Sequence, residues 1–224
     1  MNLKKLVTAA VCTMLMAAVA FTAGCGGEKK SDKKVLKVGM ECAYAPYNWS
    51  QTKADGGAVK IAGSNEYAYG YDVMMAKKLA DSMGADLEIH KIEWDGLAPA
   101  VVSGKIDAAI AGMSITSKRK ETVDFTKPYY YATVVALVKK DSEQAKAQSV
   151  ADLKGSVATS QLNTIWYDQI DQVPDVKKLP AIDTVPGMIV ALTSGKCNLI
   201  VTDIPTAKAA AFANPELTVL NFEE

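Results

Sequence analysis

The chain lacks a net charge, carries one histidine, and has no apolar run long enough to cross a membrane. Lys plus Arg and Asp plus Glu each number 25 in 224 residues. Nucleic acid requires a basic footprint, so this balance excludes that class of partner. The lone imidazole is His90, in Leu87-Glu88-Ile89-His90-Lys91. Alternation there turns Leu87 and Ile89 inward and His90 outward, which argues against a catalytic histidine. A single histidine leaves no ligand cluster for a metal, and neither metal nor cofactor is expected. Cysteine is scarce too. Of the four, Cys12 and Cys25 belong to the N-terminal segment, while Cys42 and Cys197 fall in different halves of the chain. One disulfide is arithmetically open to that pair; two free thiols are expected.

What is present begins with a targeting signature. Lys4 and Lys5 precede an apolar stretch over 6–21, shorter than the roughly 20 residues of a spanning helix. Thr22-Ala23-Gly24-Cys25 follows and resembles a bacterial lipobox, whose cysteine becomes the lipidated first residue of the mature protein. Residues 1–24 are therefore expected to be a signal peptide, Cys25 a lipidation site, and the polar stretch 25–34 a flexible tether. Together they imply an extracytoplasmic protein held to the membrane by its N-terminal lipid.

The rest alternates strand and helix signals. A strand is expected over 35–40, then an aromatic-rich loop over 41–49. Asp72 is expected to N-cap a helix with Val73, Ala76, Leu79, Ala80 and Met83 on its apolar stripe, ended by Gly84. A second strand covers 87–93, and Asp95 is expected to cap the next helix. In the second half, strands are expected over 156–159, 176–179, 197–202 and 217–221. Helices are expected over 163–170, from Thr184 to Gly195, and from Pro205 to Ala213. Val101-Val102-Ser103-Gly104-Lys105-Ile106-Asp107-Ala108 is echoed by Leu192-Thr193-Ser194-Gly195-Lys196-Cys197-Asn198-Leu199. Both read as helix, glycine turn and buried strand, as two similar α/β halves would.

The functional signal is concentrated in 103–119. Gly104 suits the left-handed end of a helix. Residues 106–111 read as a short strand buried on both faces of a parallel sheet. Gly112, Ser114 and Thr116 follow, with Thr116 as N-cap of a helix whose first turn holds Arg119. A cation there opposes the helix dipole, and a bound anion between Arg119 and the turn would resolve the conflict. The alternative is a solvated surface arginine.

Several motifs stand in one order: Val38-Gly39 with Tyr44-x-Pro46-Tyr47, Gly70-Tyr71-Asp72-Val73, Trp94-Asp95-Gly96-Leu97, Ser103-Gly104-Lys105-Ile106-Asp107-Ala108, Gly112-Met113-Ser114-Ile115-Thr116, and Asp124-Phe125-Thr126-x-Pro128-Tyr129. In these motifs the chain from Val35 onward resembles the amino-acid-binding proteins of ABC importers, solute-binding protein family 3, which have the periplasmic-binding-protein type 2 fold. The resemblance implies an α/β fold of two lobes, lobe 1 over 35–135 and lobe 2 over 136–224. Family members cross back into the first lobe and end in further helices, so the chain is expected to be truncated at its C-terminus.

The resemblance also implies site roles. Arg119 would take the α-carboxylate of a free amino acid, with backbone groups near Ala111 and Gly112, the Ser114 hydroxyl, and Thr164 with Ser160 and Asn163 assisting. Asp203 would take the α-ammonium; helix N-cap is its alternative role. Tyr44 and Trp94 would sandwich the ligand side chain, and Glu41 would favour a cationic or amide one. Binding would close the lobes like a hinge and present the closed form to a membrane permease, the protein acting as a monomer. The expected ligand is polar or basic: arginine, lysine or glutamine. Two other readings stand beside this one: a dehydratase on the same fold, with Glu41 and Asp203 as acid–base candidates, and the ligand-sensing domain of a signalling receptor.

Overall fold

The computed structural model describes residues 33–222. The expected signal peptide, Cys25, and the tether as far as Asp32 lie outside the described residues. The chain opens with β1 (Val35–Met40), β2 (Ala43–Tyr44), β3 (Asn48–Gln51), β4 (Val59–Lys60) and β5 (Tyr67–Tyr69). Helix α1 (Tyr71–Ser82), β6 (Asp86–Lys91), α2 (Leu97–Val102), β7 (Ala108–Ala109) and α3 (Ser117–Lys120) follow. Then come β8 (Val134–Lys139), β9 (Val157–Thr159), α4 (Ile165–Gln169), β10 (Lys177–Lys178), α5 (Val185–Thr193), β11 (Leu199–Asp203), α6 (Ile204–Ala213) and β12 (Leu217–Leu220).

Three sheets result. A parallel sheet runs β6-β1-β7, and an antiparallel one runs β2-β3-β5-β4. The third runs β10-β9-β11-β8-β12, with β10, β9 and β11 parallel and β8 antiparallel to both β11 and β12. The alternation of β1 explains its place at the centre of the first sheet. Val38 and Met40 are wholly buried against Ile89 and Leu97, while Val35 stays exposed at the end. In the third sheet, β11 is buried along its whole length, as a central strand of apolar residues requires. Its core continues into α5 and α6 through Met188, Leu192, Ala207 and Ala210. Tyr44 and Tyr47, from the first half of the chain, join that same core.

Three expectations are corrected here. Asp72 does not cap α1; Gly70 holds that position, and Asp72 is buried inside the first turn. Gly70 is required because its φ is +128° and an added Cβ would sit 2.3 Å from the Tyr47 carbonyl oxygen. Asp95 does not cap α2 either; it lies in the tight turn over Trp94–Gly96, and Gly96 precedes the helix. Residues 106–111 form only a two-residue strand, half-buried at Ala108 and Ala109. The cause is pairing: β1 lies on one side of β7, and among the described residues no strand lies on the other. A groove of about 550 Å³ runs beside it, lined by Ala108, Met113, Phe125 and Tyr129 among others. The caps expected at Thr116 and Thr184 are present: their side chains accept from Arg119 N at 3.2 Å and Gly187 N at 3.2 Å. Cys42 and Cys197 are buried free thiols.

Candidate functional site

Five loops meet where strands of the first and third sheets end. Three come from the first half: the one after β1 with Glu41 and Tyr44, the turn at Trp94–Gly96, and the loop after β7 with Gly112 and Ser114. Two come from the second half: the loop between β9 and α4, with Gln161, Asn163 and Thr164, and the end of β11 at Asp203. The first four, with Arg119 of α3 and Trp166 of α4, enclose a cavity of about 10 Å³ lined by Tyr44, Trp94, Gly112, Ser114, Arg119, Gln161, Thr164 and Trp166. That is room for about one water.

Arg119 is the chain's only arginine; every other basic side chain of the 25 is a lysine. Thr116 sets the first turn of α3, which aims the side chain back over its own loop. Nη1 donates to the Ser114 carbonyl at 2.7 Å and Nη2 to the Asn163 carbonyl at 2.7 Å. The guanidinium lies 5.4 Å from the centroid of the Trp94 ring, a cation–π arrangement. Among the described residues, no ion pair includes it. Burial lowers its pKa and the field of Asp168 offsets that; it remains a cation, as arginine does in proteins. A half-buried guanidinium whose partners are two neutral carbonyls has charge to spare for an anion.

The other expected residues separate into two groups. Tyr44, Trp94, Gly112, Ser114 and Thr164 line the cavity with Arg119. Gly112 has φ +60°, and a Cβ there would press on the Tyr44 ring at 2.8 Å, so the glycine lets ring and loop touch. Its N–H donates to the Tyr129 hydroxyl at 2.9 Å. Thr164 donates to the Gln161 carbonyl at 2.7 Å. The structure does not place Ala111, Ser160, Asn163, Glu41 or Asp203 on the cavity wall. Ala111 lines the larger groove. Ser160 is buried and donates to the Val201 carbonyl at 2.6 Å, tying the end of β9 to β11. Asn163 contributes its carbonyl to Arg119 and, at 3.5 Å, to Trp94 Nε1, while its amide donates to Asp95 at 2.9 Å.

Asp203 is fully buried and caps α6, accepting from Thr206 N at 3.0 Å and Thr206 Oγ1 at 3.0 Å. It also accepts from the Tyr44 hydroxyl at 2.5 Å and the Tyr47 hydroxyl at 3.4 Å. Asp203 thus stands one hydrogen bond behind the cavity wall, with Tyr44 between. Burial, followed by the charge of Asp203, raises the Tyr44 pKa well above the usual phenol value, so its hydroxyl stays a donor.

Glu41 stands behind Gln161 in the same way. Gln161 Nε2 donates to Glu41 Oε2 at 3.0 Å and to the Asp183 carbonyl at 3.0 Å. Glu41 Oε1 is buried without a hydrogen-bond partner among the described residues. Burial pushes the Glu41 pKa up to about 7, with the Gln161 hydrogen bond opposing and repulsion from Glu93 adding. Asp72 is a second buried acid. It accepts from Asn48 Nδ2 at 2.7 Å and from the Tyr129 hydroxyl at 2.7 Å. Burial still raises its pKa to about 6. Asn48 in turn accepts from Cys42 N at 2.7 Å. One buried chain of hydrogen bonds therefore joins the loop after β1 to Gly112.

These two acids bind protons more tightly folded than unfolded. Their neutral forms therefore favour the fold at low pH, and that advantage is lost as pH rises from near 4 through 6 for Asp72 and 7 for Glu41. Unfolding free energy is expected to fall by on the order of 3–4 kcal/mol between pH 5 and 8. Urea melts at the two pH values measure it. Glu41→Gln should flatten most of the slope, and a slope unchanged in that variant would assign it elsewhere.

The residues missed from the sequence are Gln161 and Trp166 on the wall, and Asp95 and Tyr129 behind it. Gln161 follows a buried strand end, as Gly112 follows β7, which is a signal for a ligand loop. Trp166 falls in the helix expected over 163–170, where residue type alone gives no signal of a site. Among the described residues, no group of three or more His, Cys, Asp or Glu is arranged to hold a metal.

The sequence pattern of the bacterial extracellular solute-binding proteins, family 3, matches residues 36–178. A probable histidine-binding protein of Campylobacter jejuni is 31% identical over 182 residues, covering 81% of this chain and 65% of its own length. The ABC transporter arginine-binding protein 1 of Escherichia coli is 29% identical over 218 residues, covering 97% of this chain and 78% of its own. The chain thus spans just under two thirds of the Campylobacter relative. Among solved structures, an amino acid ABC transporter substrate-binding protein from Streptococcus pneumoniae bound to L-arginine superposes with a TM-score of 0.72 at 30% identity. It covers 85% of this chain and 77% of that one.

Proposed function

Because the chain belongs to the bacterial extracellular solute-binding proteins, family 3, we propose that it is a receptor for a free L-amino acid, bound between two lobes divided near residue 135. The observation that carries this reading is Arg119, a half-buried cation without an ion-pair partner among the described residues, on the wall of a cavity shared by both halves. A carboxylate accepting two parallel N–H bonds is the partner such a fork fits best. The Ser114 hydroxyl and the Thr164 N–H donate further hydrogen bonds to it, and Tyr44 and Trp94 flank the side chain. Asp203 receives the ammonium once the Tyr44 hydroxyl yields its place. An amino acid does not fit a space of about 10 Å³, so entry requires the loops to part and binding closes them again.

Delivery to the permease of an ABC importer, a signal peptide over 1–24, lipidation at Cys25 and a monomeric state complete the proposal. The relatives named above are binding proteins for basic amino acids, which favours arginine, lysine or histidine over an acidic ligand. Catalysis is the weaker reading: Glu41 and Asp203, the two acid candidates, are both screened from the cavity by Gln161 and Tyr44. A thermal-shift screen of the twenty amino acids tests the receptor reading. At least one is expected to raise the melting temperature by several degrees at millimolar concentration, as ligand linkage requires. No shift from any of them would refute it.

A further inference from the structure

Gln161 lines the cavity and also reaches Glu41, the buried acid behind that part of the wall. Its Nε2 makes two hydrogen bonds, to Glu41 Oε2 in the first half and to the Asp183 carbonyl in the second. The other carboxylate oxygen of Glu41 is buried and has no hydrogen-bond partner among the described residues. An acceptor left in that state costs free energy until a donor arrives. The cavity has space for about one water, so nothing longer reaches Glu41 unless the Gln161 side chain turns aside. The carboxamide therefore occupies the place that a nitrogen donor at the end of a ligand side chain would need.

We propose that Gln161 is a specificity-determining residue, whose carboxamide competes with the ligand's side-chain donor for Glu41. This rests on the receptor reading above and goes beyond it by assigning the competition to a residue of the second half. A ligand with a donor at its side-chain end displaces Gln161 and takes the free oxygen as well. A ligand without one leaves Gln161 in place and gains nothing from Glu41. A cationic ligand also holds Glu41 ionised, although burial favours its neutral form. The charged group whose field reaches Glu41 is Glu93, which opposes ionisation; Lys91 and Glu66 act on the neighbouring Cys42.

Calorimetric titration of L-arginine and L-norleucine into the wild-type chain, Gln161→Ala and Glu41→Gln tests the proposal. Norleucine keeps the aliphatic stem, is two atoms shorter and has no terminal donor, so its affinity reports everything except the contact with Glu41. In Gln161→Ala the affinity ratio of arginine to norleucine is expected to rise about fivefold to tenfold, the competing hydrogen bond having been removed. A ratio cancels any general loss of fold or closure in the variant. Glu41→Gln should lower the ratio by about tenfold or more, the charged acceptor having been removed. Arginine binding at pH 6 should release roughly one proton from the wild type and none from Glu41→Gln, read from buffers of different ionisation enthalpy. An unchanged ratio in Gln161→Ala overturns the proposal. Binding of another amino acid but not arginine overturns it while the receptor reading stands; binding of no amino acid overturns both.

Discussion

Replacing Arg119 with alanine will weaken amino-acid binding by roughly a hundredfold to a thousandfold, enough to erase a millimolar thermal shift. The size follows from what the side chain does. Two of its five N–H donors are engaged by neutral carbonyls, and the others are open to an anion. Removing the guanidinium would leave a ligand carboxylate in a closed cavity with hydroxyls and N–H groups alone to balance its charge. The fold should lose far less, because the bonds broken are those to the Ser114 and Asn163 carbonyls and the contact with Trp94. Arg119→Lys should recover only part of the affinity, since an ammonium lacks the planar fork. Urea melts beside the titrations separate the two effects: a variant that binds as well as the wild type would take Arg119 out of the site.

The second large effect concerns Asp203. Asp203→Ala is expected to cost about 3 kcal/mol of stability, in part as the N-cap of α6 and in part as the acceptor for buried hydroxyls. Tyr44 and Thr206 would both lose that acceptor. Asp203→Asn separates cap from charge. Asparagine caps as well as aspartate, so the loss of stability should stay near 1 kcal/mol. Affinity for the amino acid should nevertheless fall at least tenfold, because a neutral amide does not balance an ammonium. Full affinity in Asp203→Asn would confine the residue to capping α6 and anchoring Tyr44.

Much of this was legible in the sequence because it is local chemistry. Thr116 and Thr184 announce their caps by residue type, and Thr184 also by the apolar run that follows it. Gly84, Gly104 and Gly195 mark helix ends with φ between +62° and +78°. Arg119 stood out by its position against the helix dipole, and would have stood out more as the chain's only arginine. The failures share a different cause. The apolar run 106–111 looks like any buried strand, but its burial depends on a neighbour on each side, and β7 has one. Asp72 resembles a cap until Asn48 and Tyr129 claim it from elsewhere in the chain. Glu41 was legible as a site acid, whereas the amide in front of it, 120 residues away, was not. Non-local pairing decided each of these, and no spacing rule encodes it.

The central claim is that Arg119 recognises an α-carboxylate. The most direct test is calorimetry of the wild-type chain with the amino acid that gives the largest thermal shift and with the α-amide of that same amino acid. The amide keeps the ammonium and the side chain and replaces the carboxylate by a neutral group of the same shape with one acceptor oxygen. The expected result is an affinity for the amide at least about a hundredfold lower, with the two ligands equally weak in Arg119→Ala. Equal affinity of amino acid and amide for the wild type would contradict the account.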